Sequence, residues 1–78
     1  MTYDLEIVIP VFREELNISE TLSNIKKKIN LNFRILVVYD FIDDPTIAVV
    51  KDNFNDDKII LVKNKYTGLN GAMKTAFE

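Results

Sequence analysis

The run Ile35-Leu36-Val37-Val38-Tyr39 is apolar at every successive position. Side chains of a strand point alternately to its two faces, so a strand with one wet face alternates apolar with polar residues. A run without alternation belongs to a strand covered on both sides. Such strands are at home in parallel sheets, where each connection must cross over the sheet and is usually a helix. The flanking sequence fits that demand. Leu5, Glu6, Ile7, Val8, Ile9 and Pro10 form a second apolar run, closed by a proline, which lacks an amide N–H. Between the two runs Ile18, Leu22, Ile25 and Ile29 recur at helical spacing, which predicts a helix over 18–29 with one apolar stripe. Asn17 and Glu20 stand three apart at its start and predict a capping box with Asn17 as the N-cap.

The pattern continues beyond the central run. Asp44 followed by Pro45 is an N-cap and first-turn pair, and Ile47, Val50 and Phe54 mark a second, shorter helix. Asn55, Asp56 and Asp57 turn the chain, 58–62 reads as a third strand, and 63–67 as a polar loop. From Gly68 onward Leu69, Ala72, Met73, Ala76 and Phe77 again recur at helical spacing, so a third helix is expected there. The order β-α-β-α-β-α defines an α/β class with a parallel sheet.

Composition narrows the chemistry. With 47% hydrophobic and 28% charged residues, the chain has the balance of a folded segment and not of a disordered tail. Its 78 residues allow a small core, of the kind that supplies roughly 3 to 5 kcal/mol. There is no cysteine and no histidine, so acid or base chemistry falls to carboxylates, lysines or tyrosines. The net charge of −2 with interspersed signs gives no general attraction to nucleic acid, and the run Lys26-Lys27-Lys28 reads as a solvated helix face. No apolar stretch approaches the roughly 20 residues of a membrane span, and no signal-peptide pattern follows Met1. A cytoplasmic segment is the expectation.

In open parallel sheets ligands lie beyond the carboxyl ends of the strands. After the first strand comes Pro10-Val11-Phe12-Arg13-Glu14-Glu15, with none of the glycines a dinucleotide-binding turn requires. A receiver domain would place paired acids there and an aspartate after the third strand, where this chain has Lys63 and Asn64. Three stretches, in matching order, instead resemble the start of family 2 glycosyltransferases, among them dolichol- and polyprenyl-phosphate sugar synthases. Ile9-Pro10-Val11-Phe12-Arg13-Glu14-Glu15 is similar to the family's Ile-Pro-x-Tyr-Asn-Glu-Glu. Val37-Val38-Tyr39-Asp40-Phe41-Ile42-Asp43-Asp44-Pro45-Thr46 resembles Val-Val-Asp-Asp-Gly-Ser-x-Asp-Gly-Thr. Asn64 to Ala72, with Phe77 and Glu78, resembles Asn-x-x-x-Gly-x-x-x-Ala leading to Gly-Phe-Glu.

The resemblance implies a three-layer, Rossmann-like fold, the amino-terminal half of the GT-A type, and a nucleoside diphosphate sugar as ligand. Pro10, Phe12, Glu14, Asp40, Gly68 and Gly71 are then the nucleotide-binding residues. Phe12 matches the aromatic that stacks on the base; the alternative is a core phenylalanine. Glu14 matches a carboxylate near the nucleotide, against a merely solvated acid. Asp40 matches the aspartate that accepts a hydrogen bond from a base N–H. Gly68 and Gly71 open a helix whose free N–H groups suit a diphosphate, unless Gly68 only serves a turn. Lys65 is a lesser candidate for a charge contact, and Asp44 is accounted for by capping alone. Tyr39, Arg13 and Phe41-Ile42 depart from the family's Asp, Asn and Gly-Ser, so donor contacts after the second strand are expected to differ.

The family's Asp-x-Asp, which binds Mg²⁺ or Mn²⁺, and its general base are expected beyond Glu78. Residues 1–78 are thus read as the nucleotide-binding part of a longer domain, inactive alone and expected to self-associate through an exposed sheet edge. Two alternatives stand beside this reading. One is a small non-catalytic α/β binding module. The other is a nucleotidyltransferase, which would need a glycine-rich Arg-Lys loop where this chain offers only Arg13.

Overall fold

A computed structural model describes residues 3–55 and 57–65. Over these residues the chain runs β1 (Leu5–Val11), α1 (Ile18–Lys28), β2 (Phe33–Tyr39), α2 (Pro45–Asn53) and β3 (Ile59–Lys63). The strands form one parallel sheet in the order β1-β2-β3, with Ile7 opposite Ile35 and Val37 opposite Leu61. The α/β parallel class read from the sequence is the class observed. The third helix expected from Gly68, and Asp56 of the turn, lie outside the described residues.

The uninterrupted apolar run of β2 has the physical basis inferred for it. On one face Phe33, Ile35 and Val37 join Ile18, Leu22 and Val50, with Leu5, Ile7, Ile9, Ile59 and Leu61 packed around them. On the other face Leu36 and Val38 pack with Val8, Ile60 and Val62. Both helices cover the first face; α1 presents Ile18, Leu22 and Ile25 to it as the spacing predicts, and Ile29, the extended C-cap just past the helix, packs there too. Each wholly buried side chain, such as Leu22 or Ile35, contributes about 1.5 to 3 kcal/mol of burial.

Three local features differ from the sequence expectation. β1 does not stop at Pro10 but continues to Val11. The Leu5 N–H donates to the Asn32 carbonyl across the strand pair, and ladder bonds alternate along a strand. Pro10 therefore occupies a position whose amide would face away from β2, where a missing N–H costs no ladder bond. The capping box also does not form. Asn17 takes a helical conformation and makes no side-chain cap bond, while the Glu14 carbonyl accepts from the N–H groups of Asn17 and Ile18. A backbone turn thus takes the Asn17 N–H that the Glu20 side chain would accept in a capping box. In α2 Ile47 stands outside the core cluster; Thr46 is wholly buried and Val49, Val50 and Phe54 make the contact. No helix among the described residues is long and apolar enough to cross a membrane.

Candidate functional site

Parallel strands deliver three loops to one edge of the sheet. β1 leads into Phe12, Arg13 and Glu14; β2 leads into Asp40 and Phe41; β3 leads into Asn64. These loops enclose a cleft of about 210 Å³ lined by Pro10, Phe12, Glu14, Asp40 and Asn64, with Val11 and Val38 at its base. Clefts that bury a whole small ligand usually enclose about 300 to 1,000 Å³, so this one suits part of a ligand. Four of the six sequence-derived nucleotide residues meet here. Gly68 and Gly71 lie outside the described residues.

Phe12 is not a core residue, since 57% of its surface is exposed. Its ring meets Phe41 edge-on, with centroids 6.0 Å apart, and the Arg13 guanidinium lies 5.9 Å from its centre. A second hollow of about 240 Å³ is lined by Phe12, Arg13, Phe41, Asp43 and Asp44. A glycine in place of Phe41 would leave Phe12 without its edge-on partner. Tyr39 packs against the helix-side core, and so does not project into the cleft.

The loops are fixed to each other by Asp44 and Thr46. Asp44 Oδ1 accepts from the Thr46 N–H at 2.9 Å and from its hydroxyl at 2.7 Å, which is the N-cap the sequence announced. Asp44 Oδ2 accepts from the Arg13 N–H at 3.0 Å, and the Thr46 hydroxyl oxygen accepts from the Glu14 N–H at 2.8 Å. Two residues that open α2 therefore hold the loop that carries Phe12 and Glu14. Arg13 is bent into the left-handed region, with φ of 51°, where its N–H reaches Asp44. Burial is the largest single influence on the Asp44 carboxyl and would raise its pKa. The bonds from Arg13 and Thr46, with the Arg13 charge, together outweigh it and hold the group below its ordinary value of 3.8.

Asp40 is engaged as well. Asn64 is buried, its N–H donates to the Tyr39 carbonyl at 2.7 Å, and its side-chain Nδ2 donates to Asp40 Oδ1 at 2.6 Å. Sequence reasoning placed Asn64 in a family motif but gave it no role. The signal available was its position directly after a strand at the ligand-bearing edge. Among the described residues no three His, Cys, Asp or Glu side chains come together to hold a metal ion.

The parallel sheet defines the α/β class, and its polar and aromatic groups gather at the strand edge beyond which ligands lie in open parallel sheets. The family is shown by comparison: the model of Glycosyl transferase family 2 matches residues 6–78. The chain belongs to that family. No curated protein and no solved structure matches it.

Proposed function

We propose that this family 2 chain holds the nucleoside end of a nucleoside diphosphate sugar in the cleft between the Phe12 loop and Asp40. The observation that carries the reading is the meeting of an exposed aromatic ring and a carboxylate, delivered by neighbouring strands, on one small cleft. Phe12 stacks on the base for about 1 to 3 kcal/mol. Asp40 accepts from a base N–H, Glu14 faces the ribose, and Pro10 forms part of the wall without offering a donor. Gly68 and Gly71 contact the diphosphate, as the resemblance implies. A divalent cation, Mg²⁺ or Mn²⁺, would be held on the diphosphate by ligands other than the described residues. The full enzyme would transfer the sugar to an acceptor such as a polyprenyl phosphate or a saccharide, on the cytoplasmic side of a membrane.

Stacking and a few hydrogen bonds must offset several kcal/mol of lost translational and rotational freedom, so the chain alone should bind in the millimolar range. NMR titration with uridine and guanosine diphosphates, with and without Mg²⁺, tests this. Phe12→Ala and Asp40→Ala should each weaken binding several-fold, Mg²⁺ should add little, and no sugar should be transferred. Tight, Mg²⁺-dependent binding that neither substitution alters would refute the assignment.

A further inference from the structure

We infer that Asn64 is a positioning residue that fixes the Asp40 carboxylate so that the cleft selects bases carrying a ring N–H beside a carbonyl, as uracil and guanine do. The inference rests on the nucleoside reading of the cleft and adds to it the class of base and the residue that sets it. Asp40 stands just past the end of β2, half-buried, where a short acidic side chain has several rotamers open to it. Asn64 removes that freedom. Its own backbone is tied to the end of β2 through the Tyr39 carbonyl at 2.7 Å, and it retains only 6% of its exposed surface. From that fixed point Nδ2 donates to Asp40 Oδ1 at 2.6 Å, across 24 residues of sequence.

The consequence is chemical. An ionised carboxylate only accepts hydrogen bonds, and a neutral amide that donates to one oxygen leaves its charge in place. Asp40 Oδ2 has no partner among the described residues, and Asp40 and Asn64 line the cleft together. A carboxylate held in one orientation accepts from the ring N–H of uracil or guanine. It meets the ring-nitrogen lone pair of cytosine or adenine with repulsion. A carboxylate free to rotate would instead swing aside and accept from the exocyclic amine of cytosine or adenine, and the distinction between the two classes would fade. Base selection therefore depends on the amide donor as well as on the acid.

The test measures dissociation constants of the full chain for uridine, cytidine, guanosine and adenosine diphosphates by NMR titration. Wild type should bind uridine or guanosine diphosphate about tenfold more tightly than the amino counterpart, cytidine or adenosine diphosphate. Asp40→Ala should abolish that ratio. Asn64→Leu, which keeps the branched shape but removes the donor, should reduce it to within about twofold. The ratio is internal to each variant, so a general loosening that weakens every ligand equally does not move it. Asp40→Ala and the Asp40→Ala/Asn64→Leu double variant should show the same ratio, because Asn64 acts through Asp40. Asn64→Ala, which also lacks the donor, serves for the same comparison if the leucine variant does not fold. A wild-type ratio retained in the Asn64 variants and lost in Asp40→Ala overturns the role of Asn64 and leaves the nucleoside site standing. A wild type without base preference, or a preference unchanged by Asp40→Ala, overturns the base contact itself and the role of Asn64 with it.

Discussion

Replacing Arg13 by asparagine should stabilise the chain, although it removes a contact. Arg13 has φ of 51°, a conformation that costs a residue with a Cβ about 1 to 2 kcal/mol and that asparagine tolerates far better than arginine. Relief of roughly 1 kcal/mol is a reasonable share of that cost. Against it stands the guanidinium, which lies 5.9 Å from the Phe12 ring and whose charge also favours the Asp44 carboxylate, exposed contacts worth together about 0.5 kcal/mol. The N–H bond to Asp44 is made by backbone and survives the change. The net gain is then about 0.5 kcal/mol, a rise of roughly 2 to 4 °C in thermal midpoint for a domain of this size. Arg13→Ala isolates the loss, since it keeps the strain and removes the cation, and should fall by a similar amount. Arg13→Gly should lie near wild type, because relief of strain is offset by the larger entropy of the unfolded glycine chain. Thermal unfolding by circular dichroism ranks the variants. An asparagine variant no more stable than the alanine variant would show that the left-handed turn carries no strain worth relieving. The family resemblance has asparagine at this position, and the left-handed turn supplies a physical reason for it.

Two further outcomes are expected. The Asp44 carboxyl titrates lower in the folded chain than its ordinary 3.8, so its stabilising contribution is fully present above that value and is lost as pH falls through the folded value; Asp44→Asn should flatten the acid limb of stability against pH, and an unchanged limb would mean the clamp contributes nothing. Among the described residues β1 is an edge strand and Leu16 and Ile42 are exposed apolar side chains, so sedimentation should show a mass rising above 9.0 kDa with concentration, and Ile42→Asp should reduce it; a strict monomer at millimolar concentration would count against an open apolar edge.

The fold was legible where periodicity carries the signal. β2 shows it best: five apolar residues in succession can be satisfied only by cover on both faces, and the two core clusters divide that run into Ile35 and Val37 on one side and Leu36 and Val38 on the other. The stripe of α1 was equally clear, because each of its isoleucines and leucines has the same apolar reason to face the sheet. The limits of α1 and β1 were less so. Asn17 has the chemistry of an N-cap, yet the Glu14 carbonyl takes the N–H groups of Asn17 and Ile18 and turns Asn17 into a helical conformation, and propensity has no means of ranking a side-chain acceptor against a backbone turn. Pro10 marks the end of a strand only when its amide would face a neighbour, and which way an amide faces is a matter of register.

The site shows the same division more sharply. Phe12, Glu14 and Asp40 stand out in the sequence because they follow strands and carry chemistry, and strand adjacency is enough to bring them to one cleft. What holds them there is invisible in one dimension. Asp44 and Thr46 read as a helix start, and capping does describe one of the Asp44 oxygens. The second oxygen and the Thr46 hydroxyl reach 31 and 32 residues back along the chain to the amides of Arg13 and Glu14. A local rule that already explains a residue conceals any longer-range bond that residue makes. Capping alone accounts for Asp44 in the sequence, yet it is the residue through which the geometry of the Phe12 loop depends on the start of α2. Substitution at Asp44 should therefore disturb stability and ligand affinity together. Substitution at Phe12, whose exposed ring supports little of the core, should disturb affinity alone.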